Sequence, residues 1–246
     1  MNRDLPTPAS ALAIVAHPDD AEFQCGATLA KWAAAGATVH HLVCTDGSKG
    51  TWDVECDQAA LISTRQEEQR AAAAALGATG EVVFLGWVDG ELEADLAARS
   101  LVAYWIRRLR PEVVLGHDPW RRWRLHPDHR HAGFLAVDGV VAARDPFFFP
   151  EHELPHHRPG ALLLFESEEP DHTEDVTGYV DAKVAALLCH TSQFVTTHGI
   201  DDPADQHLRA EFGRRIAERM AEAAVSAGVA DTDVRHAELY RALTDL

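Results

Sequence analysis

Short apolar runs alternate with longer stretches of helical periodicity along the first two thirds of the chain. The first run, residues 9–15, is β-branched towards its end and is soon followed by Pro18, so it is typical of a buried strand. The Ala-rich residues 26–35 behind it are compatible with a helix that Gly36 ends. Further strands are predicted at residues 38–45, 81–86, 112–117 and 161–165, and further helices at residues 61–76, 93–109, 127–144 and 179–190.

This alternation of strands and helices is typical of an α/β fold, with one mostly parallel sheet and helices on both of its faces. We expect a Rossmann-like, doubly wound sheet in which the five predicted strands have the order 3-2-1-4-5. An apolar stripe with helical spacing marks a late helix near residues 208–220. No linker interrupts the chain, so we predict a single domain over residues 1–246, with a Rossmann-like core at about 9–170 and a C-terminal helical extension at about 171–246.

The 246 residues, 46% of them apolar, are enough to bury one large core. The formal net charge is −17, whereas surfaces that bind nucleic acid or anionic membranes need basic patches, so neither partner is expected. The four cysteines show no CxxC spacing, and no apolar segment approaches the ~20 residues of a membrane span. The N-terminus has no signal-peptide pattern. We therefore expect free thiols and a cytoplasmic protein.

Two clusters of ionisable residues follow the first and the fourth predicted strands. His17, Asp19 and Asp20 come directly after the first strand, and the segment at residues 126–129, His-Pro-Asp-His, follows the fourth. Ligands of open α/β sheets bind outside the carboxyl ends of the strands, where the strand order reverses. In the expected order the first and fourth strands are neighbours, so the two clusters should meet in one crevice although they lie far apart in the chain.

Such a crevice would combine the groups that metal-assisted hydrolysis needs. Two histidines and one carboxylate hold a catalytic zinc ion and leave one position open for water. Zinc lowers the pKa of that water and polarises a carbonyl, while a second carboxylate takes a proton and a further histidine donates one to the leaving amine. Each cluster alone also fits an acidic helix N-terminus, but two clusters behind the expected pair of strands favour the metal site.

These motifs resemble those of the LmbE-like, or PIG-L, family of zinc-dependent de-N-acetylases, which includes deacetylases of mycothiol and bacillithiol biosynthesis. The resemblance covers most of the chain in family order, and the paired HPDD and HPDH motifs are its most specific part. The matching segments are residues 16–20, 45–47, 65–68, 85–86, 89–90 and 126–129, and Lys183 with residues 190–193.

The resemblance implies a role for each residue of the two clusters. It implies three metal ligands, a general base, a residue that stabilises the oxyanion and assists the leaving amine, and a carboxylate that orients a histidine. These are His17, Asp20 and His129 for the metal, Asp19 for the base, His126 for the oxyanion and the amine, and Asp128 for the orienting carboxylate. Arg65 and Asp89 match positions that hold the sugar substrate in relatives.

The loop before the second cluster is rich in tryptophan and arginine, and we predict that it selects the substrate. Arg124 stands where some sugar deacetylases of the family have a tyrosine that helps the oxyanion. We expect Arg124 to bind an anionic or polyhydroxyl substrate, and Arg121 and Arg122 to pair with surface carboxylates. Trp120 and Trp123 either stack on a sugar ring or lie buried in the protein, and burial is the commoner outcome for loop aromatics.

These residues predict a zinc-dependent hydrolase, an N-deacetylase that acts on an N-acetylated amino sugar or its conjugate. An amidase for a thiol S-conjugate or an antibiotic precursor is the alternative. No G-x-G-x-x-G follows the first strand, which disfavours a nucleotide-binding enzyme. The presence of both Asp19 and His126 disfavours a metal-binding protein without catalysis. The expected cofactor is Zn²⁺, with Fe²⁺ as the alternative metal. The expected partner is a small-molecule amino sugar. The sequence leaves open whether the protein forms a homo-oligomer.

Overall fold

The computed structural model describes residues 1–230 and 233–246, and within these residues eight strands form one mixed sheet. The order of the strands across the sheet is β1-β7-β8-β6-β5-β2-β3-β4, where the labels follow the chain. The strands are β1 (Asn2–Arg3), β2 (Ser10–Val15), β3 (Thr38–Thr45), β4 (Val82–Trp87), β5 (Val113–His117), β6 (Ala161–Phe165), β7 (His172–Asp175) and β8 (Ala237–Leu243).

Six α-helices accompany the sheet in the same part of the chain. The first four each connect two parallel strands between β2 and β6, as the βαβ pattern of the sequence predicts. The helices are α1 (Asp20–Ala34), α2 (Gln58–Ala75), α3 (Leu96–Leu109), α4 (Pro127–Arg144), α5 (Val180–Leu187) and α6 (Gln206–Ser226). Short 3₁₀ turns lie at Pro150–His152 and Thr191–Gln193, and a π-helical turn lies at Phe194–His198.

The predicted strand order is confirmed for the five predicted strands. β4, β3, β2, β5 and β6 are parallel and follow one another in the order 3-2-1-4-5. Beyond β6 the sheet continues with β8, which is antiparallel to β6 and to β7, and it ends at β1. The sequence pattern does not predict these three strands, because β1 and β7 are short and polar and β8 has no continuous apolar run. The segment after residue 170, expected to be helical, therefore contributes two strands as well as α5 and α6.

Both faces of the sheet are buried, as continuous apolar runs in parallel strands require. Alternate residues of β2 point to opposite faces. Leu12 and Ile14 pack with residues of α3 and α4, whereas Ala11, Ala13 and Val15 pack with residues of α1 and α2. Helices on both faces confirm the doubly wound architecture. Among the described residues, no helix is both long and apolar enough to cross a membrane.

Both clusters of ionisable residues stand where a helix begins, the first directly after β2 and the second after the loop that follows β5. Helix α1 begins at Asp20, earlier than the predicted start at Gly26, and Asp20 and Glu22 occupy its first turn, where the helix dipole favours negative charge. Helix α4 begins directly after His126, with Pro127 in its first turn. Regular structure on both sides therefore fixes the backbone of the HPDD motif, whereas α4 alone fixes that of the HPDH motif.

Candidate active site

The two clusters meet because the strands that precede them are neighbours. β2 and β5 pair in parallel, from Ala11 opposite Val113 to Ile14 opposite Gly116, and each motif follows at the carboxyl end of its strand. The two loops therefore lie side by side at one edge of the sheet, as the strand order predicts. A cavity of about 1190 Å³ opens at this edge, and residues of both motifs line it.

Donor atoms of the three predicted metal ligands converge at this cavity. His17 Nδ1 lies 3.1 Å from His129 Nε2 and 3.4 Å from Asp20 Oδ2, and His129 Nε2 lies 3.4 Å from Asp20 Oδ1. Zinc–ligand bonds of ~2.0–2.1 Å in a tetrahedral site place the ligand atoms about 3.3 Å apart, so this spacing fits one metal ion. Burial lowers the pKa of His129 to about 3, and neutral imidazole is the form that binds a metal.

Asp128 contacts His17 instead of a histidine of its own motif. Its buried carboxylate places Oδ2 3.0 Å from His17 Nε2 and accepts hydrogen bonds from the backbone N–H groups of Gly90 (2.6 Å) and Leu92 (3.3 Å). Asp89 Oδ1 also lies 3.2 Å from His17 Nε2. Carboxylates at Nε2 hold the proton on that nitrogen and leave Nδ1 free to bind a metal.

Asp19 lies beside these donor atoms in a strained backbone conformation. Its φ of 97° is in the left-handed region, which a residue other than glycine keeps only where the surrounding structure imposes it. The backbone N–H of Asp19 donates to Gln69 Oε1 (2.9 Å), and Arg65 Nη2 lies 3.4 Å from Asp19 Oδ2. Burial raises the pKa of the Asp19 carboxyl to about 6, although the Arg65 guanidinium opposes this shift. The side chain lines the cavity.

His126 is exposed at the cavity, directly before α4. Its ring centroid lies 4.6 Å from that of His17 and 5.0 Å from that of His129. The structure thus places His126 next to two of the predicted metal ligands, with open access from the cavity.

Arg65 and Asp89, predicted to hold the substrate, line the cavity but already have protein partners. The buried Arg65 donates hydrogen bonds to the backbone carbonyls of Gly47 (2.9 Å) and Pro18 (2.6 Å). Asp89 Oδ2 accepts a hydrogen bond from the backbone N–H of Lys49 (3.2 Å). Arg65 therefore fixes the loop that carries the HPDD motif, and the substrate contacts of both residues stay a prediction.

Arg124 is held by an ion pair at the wall of the cavity. Its guanidinium binds both carboxylate oxygens of Glu166, at 2.6 Å each, and contacts His129 Nδ1. Arg121 binds the same carboxylate at 2.8 Å, and Arg122 binds a second glutamate at 3.0 Å. The carboxylate partners predicted for Arg121 and Arg122 are therefore present, and Arg124 also has one, which the sequence does not indicate.

The two tryptophans of the same loop are exposed to solvent. Trp120 is 60% exposed and Trp123 is 89% exposed, so burial, expected as the commoner outcome, is wrong for both. Trp123 also lines the cavity and has a positive φ of 60°. Its ring is therefore free to stack on a bound molecule.

Sequence patterns single out neither His117 nor Glu166, although both lie close to the metal ligands. The buried His117 ends β5, with Nε2 3.4 Å from Asp20 Oδ2 and Nδ1 3.3 Å from Glu166 Oε2. Burial acts to raise the pKa of Glu166, but hydrogen bonds from His117 and Arg124 hold it at about 2. Each residue stands at the carboxyl end of a predicted strand, where ligands of open α/β sheets bind. That position is the one feature of the sequence that could have indicated a role in the site.

Proteins of known sequence and structure are similar to this chain over most of its length. Residues 12–140 match the model of the PIG-L family, described as GlcNAc-PI de-N-acetylase. A diacetylchitobiose deacetylase of Thermococcus kodakarensis is 36% identical over 186 residues, covering 74% of this chain and 69% of the relative. A 4-oxalmesaconate hydratase of Pseudomonas putida is 30% identical over 207 residues, covering 78% of this chain and 77% of the relative. The structure of N,N'-diacetylchitobiose deacetylase from Pyrococcus horikoshii, complexed with its inhibitor, has a TM-score of 0.83 and 26% identity, covering 96% of this chain and 84% of that one.

Proposed function

Because this chain belongs to the PIG-L family of de-N-acetylases, we propose that it is a metal-dependent hydrolase that removes the acetyl group from an N-acetylated amino sugar or its conjugate. The observation that carries the proposal is the convergence of His17, Asp20 and His129, whose donor atoms lie 3.1–3.4 Å apart. Two imidazole nitrogens and one carboxylate suit a catalytic metal site that keeps a position open. The carboxylate of Asp19 lies beside this site.

We assign the metal to His17, Asp20 and His129 and propose that it is Zn²⁺, with Fe²⁺ as the alternative. When bound, Zn²⁺ supplies a charge that polarises the amide carbonyl and a bound water of lowered pKa. Imidazole and carboxylate donors accept several divalent metals. Elemental analysis of the protein as purified distinguishes zinc from iron.

Asp19 and His126 are the residues we propose for proton transfer. The Asp19 carboxylate lines the cavity and accepts the proton of the attacking water. His126 faces the same cavity, hydrogen-bonds the developing oxyanion, and gives a proton to the amine nitrogen as the C–N bond breaks. Asp128 meanwhile holds the ring of His17 in one tautomer through the contact at Nε2.

The size of the cavity supports a substrate that extends beyond one sugar ring. Its volume of about 1190 Å³ exceeds the ~300–1,000 Å³ of most small-molecule pockets. We propose that Arg65 and Asp89 bind hydroxyl groups of the amino sugar, and that Arg124 and the exposed Trp123 contact the group attached to it. A conjugate therefore fits this site better than a free monosaccharide.

A small molecule is the proposed partner of this chain, and its net charge of −17 disfavours nucleic acid and anionic membranes. We further propose that the chain acts in the cytoplasm. Residues 1–246 are proposed to form one domain, because β1 and β8 lie in the same sheet as the strands that carry the site.

Two alternatives use the same cluster of residues. The first is an amidase for a thiol S-conjugate or an antibiotic precursor. Its substrate would carry a different group beyond the amide, and the loop that contains Arg124 would contact that group. The hydratase relative, which is 30% identical, favours a second candidate, a hydration reaction with the same acid–base groups.

Acetate release from a panel of N-acetylated compounds tests the proposal. The panel contains N-acetylglucosamine, N,N'-diacetylchitobiose, an N-acetylglucosaminyl conjugate, an amide of a thiol conjugate, and the substrate of the hydratase relative. We expect acetate and free amine in equal amounts from an amino-sugar substrate, with the metal-loaded protein but not with Asp19→Asn. Hydration of the last compound without acetate release from any amide would contradict the deacetylase function.

A further inference from the structure

We propose that His117, braced by Glu166, is a positioning residue of the metal centre that fixes the carboxylate of Asp20. This role rests on the proposed function, because Asp20 needs a fixed orientation only if it holds a metal. Neither the HPDD motif nor the HPDH motif contains His117 or Glu166, so the two residues add a second layer of support to the site.

His117 is enclosed between two carboxylates. It is 1% exposed, and its Nε2 and Nδ1 lie 3.4 Å from Asp20 Oδ2 and 3.3 Å from Glu166 Oε2, respectively. Among the described residues, Nε2 has no hydrogen-bond partner of good geometry, although it is buried. A buried polar atom in this position destabilises the fold unless a nearby group uses it. The Asp20 carboxylate lies within reach of this atom, and the ring of His129 lies 4.4 Å from that of His117, centroid to centroid.

The two oxygens of Asp20 have different surroundings. Oδ1 lies 3.4 Å from His129 Nε2, on the side of the proposed ligands. Oδ2 accepts the backbone N–H of His17 at 2.8 Å and lies 3.4 Å from both His17 Nδ1 and His117 Nε2. One hydrogen bond leaves a carboxylate free to rotate about it, whereas a second contact from another direction fixes its plane. Carboxylates that bind metals are commonly held by such outer contacts, and the loss of one weakens metal binding.

Glu166 holds His117 from the opposite side. It directly follows β6, the neighbour of β5 in the sheet, and its φ of 61° is a strained value for a residue other than glycine. Arg121 and Arg124 bind its carboxylate at 2.8 Å and 2.6 Å. The ring of His117 therefore contacts a carboxylate that two arginines hold in place. This contact fixes the orientation of the ring, with Nε2 towards Asp20.

The zinc affinity of two matched variants tests this role independently of activity. His117→Leu removes both ring nitrogens, whereas His117→Gln places an amide N–H near the position of Nε2. We expect His117→Leu to lower the affinity for zinc by about 10- to 100-fold, measured in competition with a chelator. Loss of a residue that contacts a metal ligand commonly has an effect of this size. His117→Gln should recover most of that loss. Equal affinities of the wild-type protein and His117→Leu would overturn the proposal.

Proton NMR of the Co²⁺-loaded protein separates positioning from direct coordination. Each coordinated imidazole that keeps a proton on its other nitrogen gives one strongly shifted N–H signal. We expect the same number of these signals in the wild-type protein and in His117→Gln. One signal fewer in His117→Gln would show that His117 is itself a ligand, and would overturn the positioning role.

Circular dichroism shows whether His117→Leu folds. If it does not, Glu166→Gln tests the same proposal. We expect Glu166→Gln to lower zinc affinity severalfold, and the same change at Glu168, whose carboxylate pairs with Arg122, to leave it unchanged. Equal zinc affinities of the two glutamate variants would refute the role of Glu166 in holding His117. A wild-type protein that binds no metal at all would instead refute the proposed function, so the two failures are distinguishable.

Discussion

Asp128 Oδ2 lies 3.0 Å from His17 Nε2, although 111 positions separate the two residues in the chain. The contact joins the first turn of α4 to the loop after β2, and it determines which nitrogen of His17 faces Asp20 and His129. The HPDH motif therefore orients a residue of the HPDD motif, and neither motif alone forms the donor set.

Removal of His129 should abolish metal binding. His129→Ala leaves one imidazole and one carboxylate, which is too few for a stable catalytic metal site. We expect elemental analysis to find one metal ion per chain in the wild-type protein and almost none in the variant. His131→Ala, a change two residues further along α4, is the control and should keep the metal. Full metal retention by His129→Ala would contradict the ligand assignment.

Asp19→Asn should keep the metal and lose catalysis by at least about a hundredfold, the usual scale for loss of a general base. Asparagine is the suitable replacement because Asp19 has a φ of 97°, and asparagine tolerates the left-handed region better than most residues. Metal content and kcat are measured on the same preparation. Normal turnover with the metal bound would show that another group acts as the base.

Arg124→Ala should raise KM and leave kcat nearly unchanged if Arg124 binds the substrate uniformly in the ground state and the transition state. Arg122→Ala is the matched control, because Arg122 lies in the same loop and its side chain is largely exposed. We expect wild-type kinetics for Arg122→Ala. A collapse of kcat in Arg124→Ala with KM unchanged would mean that Arg124 acts in the transition state, through its contact with His129 or directly.

Glu166→Gln should reduce stability near neutral pH and flatten the acid dependence of unfolding. The folded-state pKa of Glu166, about 2, lies below its usual value of 4.5. A lowered pKa stabilises the fold above about pH 4.5, and this contribution disappears as the pH falls towards 2. The free energies of unfolding of the wild type and the variant should differ by on the order of 1–3 kcal/mol near pH 7.

Urea unfolding of the metal-free proteins at several pH values measures this difference. It should shrink towards zero as the pH falls from 4.5 to 2. Glu168→Gln is the control, because its carboxylate pairs with the exposed Arg122 at the surface and surface pairs contribute little to stability. A difference that stays constant over the whole range would mean that the charge of Glu166 does not stabilise the fold.

The central sheet and the meeting of the two motifs were predictable because both follow from local patterns. Apolar runs such as those of β2 and β5 need burial on both faces, and a parallel order then brings their carboxyl ends together. Nothing further is required to predict that His17 and His129 are neighbours. The predicted site is therefore a consequence of topology, and the short distances between its donor atoms agree with it.

The remaining elements depend on contacts that no local pattern contains. β7 has the sequence His-Thr-Glu-Asp and becomes a strand because β8 and β1 pair with it on either side. His117 is one histidine at the end of a strand, and its relation to Asp20 and Glu166 exists only after three strands have assembled. The partner of Arg124 was likewise not predictable, since Glu166 lies beyond a helix and a loop.

Protein synthesis delivers the strands of this sheet in an order that differs from their order in space. β8, residues 237–243, lies between β6 and β7 in the sheet. Both of these strands therefore keep an unpaired edge until the ribosome has synthesised β8, which comes much later in the sequence. The proposed ligands, the last of which is His129, emerge much earlier. A nascent chain can thus carry its complete donor set while the edge of β6 is still available to another chain. We therefore expect the growing chain to be prone to aggregate until this one antiparallel strand arrives, and not only until the site is assembled.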